Sequence, residues 1–321
     1  MKKIIVAMAQ SYKGPWRPIC TGKADMEIGD WQTTAELNQV MRQARQLGIE
    51  RNLLELEAFG FTVVPPDLLG AGDLPKRLFD ATMRLCDEAE ASGAKMSGPG
   101  MVSWEYSHFL HYLVGRDPVF IEAVMHPVTL VLARYMLGAS CRLFTTSTFV
   151  KRGKATSTPL HVDSQGNPPP LYPYAVVCNI SWILTDYTEE NGTFAIVPGS
   201  QRYCRHPTKA ELPEIMGGTG PDICVPVEAK AGSLIVFTGN TWHGTYPKID
   251  PVLRAHVVTG FCRNYLLPAE DYRNFPEHIA EKYGPEFEQL LGRTSWQGYT
   301  TEGPKGENIR ALDRANITPS A

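Results

Sequence analysis

Two histidines and one aspartate stand where a metal ion could be held from one side. His161 and Asp163 flank Val162, and alternation along a strand puts them on the same face, about 7 Å apart along the chain, able to converge on one ion. His243 lies 80 residues beyond Asp163, after the apolar run 232–237 and the turn Gly239-Asn240, where a neighbouring strand could return a third ligand. Two imidazoles and one carboxylate form a facial triad that leaves positions open on ferrous iron. Eleven residues past His243, Arg254 begins the strand-like run 254–261. A buried guanidinium needs an anion, and its planar fork suits a carboxylate better than a lysine would. A dicarboxylate co-substrate could chelate iron at one end and pair with Arg254 at the other.

The remaining histidines read differently. His108 and His111 are spaced i, i+3 among Phe109, Leu110, Tyr112 and Leu113, and read as a helix face rather than a metal pair. His126, His206 and His278 adjoin proline or loop-like sequence and read as capping or surface residues, while His256 shares the face of Arg254 and reads as a structural histidine. The turn Val197-Pro198-Gly199-Ser200 has no GxGxxG or GxxxxGK pattern around it, so no nucleotide site is implied.

The elements that must position these groups change character near Cys141. Before it, Leu37, Val40, Met41, Ala44 and Leu47 recur at helical spacing after Thr33 and Thr34 as caps, and a second apolar set runs over 53–59, giving one long helix broken near Gly48. Residues 61–64 read as a short strand stopped by Pro65-Pro66, Asp73 and Pro75 open another helix, and 127–137 form a third, ended by Gly138 in the αL conformation. Segment 97–106 is a loop, and Ile4 to Ala9 a first strand. After Cys141 come short β-like runs at 143–150, 175–184, 193–197, 224–227, 233–237 and 257–261, which argue for a sandwich or barrel preceded by helices. The polar stretch 294–321 lies over the surface or frays.

Composition narrows the classes. The 321 residues allow one or two domains, and 43% hydrophobic with 20% charged residues is globular in character. A net charge of −3 gives no electrostatic footprint for nucleic acid or an anionic membrane, which points to small-molecule chemistry. The seven scattered cysteines, with no CxxC pair, read as reduced thiols. The apolar run after Met1-Lys2-Lys3 is too short for a secretory signal, and the charge-free stretch 164–185 holds four prolines, so a soluble cytoplasmic protein is expected.

With these residues in view, the chain resembles the phytanoyl-CoA hydroxylase-like branch of the iron(II)/2-oxoglutarate-dependent dioxygenases. The resemblance spans roughly 53–267, through Gly60-Phe61-Thr62-Val63-Val64, His161-Val162-Asp163, Glu190-Asn191-Gly192-Thr193, Val197-Pro198-Gly199-Ser200 and 232–254. It implies a mainly β protein with flanking helices (α+β), its core a double-stranded β-helix, the cupin-like jelly roll. It implies that His161, Asp163 and His243 hold Fe(II), that Arg254 binds the distal carboxylate of 2-oxoglutarate, and that Thr245 supports that carboxylate. Thr148, Thr158 and Trp182 fall where relatives line the co-substrate pocket. Halogenating relatives replace the aspartate by Gly or Ala, so Asp163 argues against halogenation.

The expectation is one dioxygenase domain over 1–321: a helical portion to about 138, a jelly-roll core over about 139–268, and a C-terminal extension. Using 2-oxoglutarate and O2, it would hydroxylate an aliphatic carbon of a small organic molecule, a secondary metabolite or its precursor, releasing succinate and CO2. The loop 164–173 reads equally as a wall or lid above the metal and as a stiff surface connection, and Met101, Trp104 and Tyr106 read as substrate contacts. No nucleic-acid or membrane partner is expected, and a homodimer is left open. The rivals are the same site catalysing desaturation, epoxidation, ring formation or endoperoxidation, a zinc jelly-roll hydrolase or isomerase, and a non-catalytic binding barrel.

Overall fold

A computed structural model describes residues 32–93, 108–163, 167–293, 299–300 and 303–304, with side chains described over 37–93, 108–163 and 167–293. The expected first strand at Ile4 to Ala9, the substrate contacts at Met101, Trp104 and Tyr106, and residues 164–166 of the expected lid lie outside these residues, as does most of 294–321. Within the last stretch, Tyr299–Thr300 pairs with Gly303–Pro304.

The described residues open with α1 (Gln32–Leu47) and α2 (Glu50–Phe59), separated at Gly48, whose φ of 70° interrupts the helix where the sequence suggested a break. Thr33 and Thr34 fall inside the first turn of α1 rather than ahead of it. Then follow β1 (Phe61–Val64), α3 (Pro66–Leu69), α4 (Leu74–Ala91) and β2 (His108–Leu110). β2 corrects the helix expected at His108 and His111: three residues of alternating burial pair with a neighbouring strand, and the i, i+3 spacing of the histidines has no helical meaning there. α5 (Pro118–Met125) had no counterpart in the sequence reading. It starts at Asp117, whose carboxylate accepts the Val119 N–H at 2.9 Å. Asp117→Ala is expected to cost about 1 kcal/mol of stability, read as a lowered urea midpoint at unchanged slope. α6 (Pro127–Leu137) ends at Gly138 with φ 90° and ψ 161°, a positive-φ conformation that only glycine adopts readily but outside the αL region expected.

The strands β3 (Arg142–Lys151), β4 (Thr158–His161), β5 (Val177–Ile183), β6 (Phe194–Ile196), β7 (Val225–Val227), β8 (Leu234–Thr238), β9 (His243–Thr245) and β10 (Arg254–Cys262) build two antiparallel sheets. The larger has the order β1-β8-β5-β10-β3-β2 and the smaller β4-β9-β6-β7. This is the jelly roll with flanking helices that the strand spacing and the resemblance implied. After it come α7 (Glu277–Tyr283) and α8 (Pro285–Leu290).

Alternation along the large sheet separates two faces. Cys178, Ile180 and Trp182 of β5, Leu234 and Val236 of β8, and Ala255 and Val257 of β10 join one apolar cluster with α1, α2 and α4–α8. The opposite face turns inward, where Ile183, Ile235 and Phe237 pack with Phe194 and Ile196 of the small sheet. A register shift opposite Gly260 and Phe261 puts an extra residue into β3, so Phe144 and Thr145 both reach the interior. No single helix among the described residues is long and apolar enough to cross a membrane.

Candidate active site

β4 ends on His161 and β9 begins on His243, and the two residues are paired in register. This pairing follows from the turn after β8, where Gly239 accepts the Asp163 N–H through its carbonyl at 2.8 Å. His161 Nε2 lies 3.6 Å from Asp163 Oδ1 and His243 Nε2 lies 3.2 Å from Oδ2. One ligand atom from each of the three residues lies within 4.8 Å of the others. Each Nδ1 meets a carbonyl at 2.9 Å, Pro159 for His161 and Thr241 for His243, so Nδ1–H donates and both Nε2 lone pairs turn to the shared centre. Asn179 Nδ2 donates to Asp163 Oδ2 at 2.5 Å and fixes the carboxylate.

The electrostatics fit a cation. Burial raises the Asp163 carboxyl, but the two imidazoles and the Asn179 amide outweigh it and hold the group well below the usual carboxylate range. Burial and the neighbouring His243 lower His161. For His243 burial is outweighed by Asp163, and its pKa rises. A carboxylate held ionised beside two inward Nε2 atoms is a donor set suited to a divalent transition metal.

The triad opens on a cavity of about 540 Å³ between the sheets. Thr158 and Thr245 line it on paired strands: Thr245 Oγ1 accepts the Thr158 N–H at 3.0 Å and donates to Thr158 Oγ1 at 3.1 Å. His256 and Val258 of β10 line the large-sheet side, and Arg254 lies on the same strand face one alternation beyond His256. Arg254 is 1% exposed, its guanidinium carbon 5.3 Å from the centre of the Tyr187 ring. Its Nε and Nη1 take no hydrogen bond among the described residues. Lys151, also buried, is its partner in register on β3. Burial, Arg254 and Lys151 push His256 well below the ordinary histidine range, and its Nδ1 lies 2.5 Å from the Tyr187 hydroxyl.

Two expected pocket residues are elsewhere. Trp182 lies on the outer face of β5, 5.3 Å edge-on to His126 in the helix-packed cluster, because Asn179 and Ser181 take the inward positions. Thr148 is likewise displaced by parity: Thr145, Ser147 and Phe149 face the cavity, while the Thr148 hydroxyl donates to the His256 carbonyl at 2.9 Å. Sequence reasoning missed Asn179, Thr145, Ser147, His111 and Glu270, all of which line the cavity. Alternation would have found Asn179 and Ser147 had the inward parity of β5 and β3 been known.

A jelly roll with two histidines and one carboxylate at the mouth of its cavity defines a class of mononuclear metal proteins. The phytanoyl-CoA dioxygenase (PhyH) family model matches residues 56–252, and the chain belongs to that family. It is an oxidoreductase of the iron(II)/2-oxoglutarate-dependent type, and its triad fits that cofactor set. A curated relative, Dioxygenase af480 of Aspergillus fumigatus, is 26% identical over 261 residues, covering 80% of this chain and 81% of its own. Among solved structures, HygX from Streptomyces hygroscopicus with nickel and 2-oxoglutarate bound is 16% identical at a TM-score of 0.55, covering 69% of this chain and 89% of that one. EctD from S. alaskensis with bound Fe is 20% identical at 0.53, covering 67% and 76%. Both share the fold.

Proposed function

We propose that the protein hydroxylates an aliphatic carbon of a small, mostly apolar organic molecule, a secondary metabolite or its precursor, with His161, Asp163 and His243 holding the iron and Arg254 the distal carboxylate of 2-oxoglutarate. The observation that carries this reading is the convergence of three ligand atoms within 4.8 Å beside a cavity whose strand face continues to a buried Arg254, whose Nε and Nη1 have no hydrogen-bond partner among the described residues. With dioxygen, iron and 2-oxoglutarate supply a two-electron oxidation of a C–H bond coupled to decarboxylation of the keto acid to succinate.

The chain's own groups set the geometry. Carbonyls behind His161 and His243 hold both imidazoles in the Nδ1–H form, and Asn179 keeps Asp163 turned to the same point. Thr245 spends its proton on Thr158 Oγ1, which leaves the Thr158 hydroxyl proton to donate to a bound carboxylate. Lys151 adds a second positive charge at the Arg254 end. Phe109, Phe149, Val177 and Val258 give the remaining wall an apolar character that excludes water from the reacting carbon. Asp163 supplies the carboxylate whose replacement would make room for halide, which favours hydroxylation over halogenation. The af480 relative is itself named a dioxygenase, in keeping with this reading.

The test is anaerobic. Ferrous iron followed by 2-oxoglutarate, added to metal-free protein, is expected to produce the weak visible charge-transfer absorption of the chelated keto acid, and His161→Ala to lose it. Folded, metal-loaded protein that shows no such band, and that is equally loaded by zinc with hydrolytic activity, would sink the oxygenase reading.

A further inference from the structure

One wall of the cavity carries a hydrogen-bond chain that includes none of the triad residues. It starts at Glu270, brought inward by the segment after β10, where Phe144 O accepts the Ala269 and Glu270 N–H groups at 3.0 and 3.2 Å. Glu270 Oε1 accepts the Tyr112 N–H and Oε2 the Thr146 N–H, at 2.9 and 3.0 Å. A backbone N–H can only donate, so both carboxylate oxygens are acceptors. The Thr145 hydroxyl, 2.9 Å from Oε1, therefore gives its single proton to Glu270. Ser147 lies 2.9 Å from Thr145 Oγ1 and must donate to it, since two hydroxyl lone pairs would otherwise face each other. Ser147 Oγ is left with lone pairs toward His111 Nδ1 at 3.0 Å. Nδ1 thus carries the proton, and Nε2 carries a lone pair. Burial, more than offsetting Glu270, keeps the His111 pKa below its usual value, in keeping with a neutral ring.

We propose that His111 is a specificity-determining residue, its Nε2 accepting a hydrogen bond from an O–H or N–H group of the organic substrate. Its side chain is 48% exposed and lines the cavity, and among the described residues Nε2 has no hydrogen-bond partner. The ring packs edge-on to Phe109 at 4.0 Å, and Phe109 stacks on Phe149 at 4.3 Å. The subsite therefore takes an apolar, ring-bearing molecule with one hydrogen-bond donor at its edge. This rests on the proposed use of the cavity for an organic substrate, and it assigns that substrate a chemical class.

The tautomer is read directly by ¹⁵N NMR of histidine-labelled protein with diamagnetic zinc in place of iron. His111 is expected as Nδ1–H; Ser147→Ala is expected to move it to the Nε2–H form and Ser147→Thr to restore it. Recognition is read by titrating 1-naphthol and 1-methoxynaphthalene into anaerobic protein loaded with iron and 2-oxoglutarate. The phenol is expected to bind roughly fivefold to tenfold more tightly than its ether. His111→Phe is expected to erase that preference while leaving the iron and keto-acid absorption intact. An Nε2–H or cationic His111 in the unaltered protein, equal affinities for the two probes, or no binding of the phenol overturns the proposal. Failure of the unaltered protein to form the iron and keto-acid absorption overturns the oxygenase reading instead, and the tautomer result stands apart from it.

Discussion

Replacing His161, Asp163 or His243 by alanine is expected to abolish iron-dependent decarboxylation of 2-oxoglutarate in all three variants. Removing a metal ligand deletes a bond to the ion, whereas removing a group behind a ligand only loosens it. Loss of an outer partner typically costs roughly 10- to 100-fold, so Asn179→Ala, which frees Asp163 on one side, marks the scale that the ligand variants must exceed. The comparison also guards against a trivial cause. Asn179, 8% exposed, lines the same cavity wall and is more buried than Asp163, so a fold that tolerates its loss with partial activity shows that the complete loss in the others comes from the metal. The measurement is succinate formed per iron bound, with thermal melting as a check on folding. Normal turnover by any one alanine variant would remove that residue from the site.

Arg254→Ala is expected to weaken 2-oxoglutarate binding by about 2–5 kcal/mol, or roughly thirty-fold to several-thousand-fold in Kd, with iron affinity unchanged. The magnitude follows from burial: a guanidinium 1% exposed, with two nitrogens lacking partners among the described residues, gains far more from a carboxylate than a solvated one does. Arg254→Lys should recover only part of the loss, because a point charge cannot reproduce the planar fork. The same burial predicts a stability effect of opposite sign. Without 2-oxoglutarate the charge lies beside Lys151 with no carboxylate partner among the described residues, so Arg254→Met is expected to raise the melting temperature of the keto-acid-free protein. Unaltered co-substrate affinity in Arg254→Ala would show that the keto acid is held elsewhere.

The metal constellation was legible because its parts obey simple rules. Their spacing brings His161 and Asp163 together, although β4 ends on His161 and Asp163 lies two residues past that end rather than on the strand, and His243 follows a strand apolar enough to be buried, so a register pairing between the two histidines closes the site. The helix-then-strand architecture was legible for the same reason, with the ends of the expected strands shifted by one or two residues and β10 beginning at Arg254 as the run 254–261 suggested, three residues before the shorter run 257–261. Face assignment failed where both faces of a strand are buried. Every residue of β5 is buried, so although Asn179 and Ser181 alternate with Cys178, Ile180 and Trp182, the pattern separates two faces without saying which of them lines the cavity. Thr148 between Ser147 and Phe149 presents the same ambiguity on β3. His111 was hidden because three residues are too few to separate a strand from one helical turn, and Glu270 because its position depends on a contact with Thr145, 125 residues earlier.

The position of β10 in the large sheet has a further consequence. It is hydrogen-bonded on both sides, to β3 and β5, and it bears Arg254 and His256, whereas the Glu270 and His111 wall comes from edge strand β2, its exit and a connecting segment. Changes at the edge and in the connection disturb few neighbours, while a change on β10 propagates through two ladders. With Arg254 and His111 in the roles proposed for them, co-substrate binding and substrate choice rest on separate parts of the scaffold. A lineage can drift toward new substrates through residues 108–112 and 263–272 while its reaction core stays fixed, and directed evolution of new selectivity is best confined to those two segments.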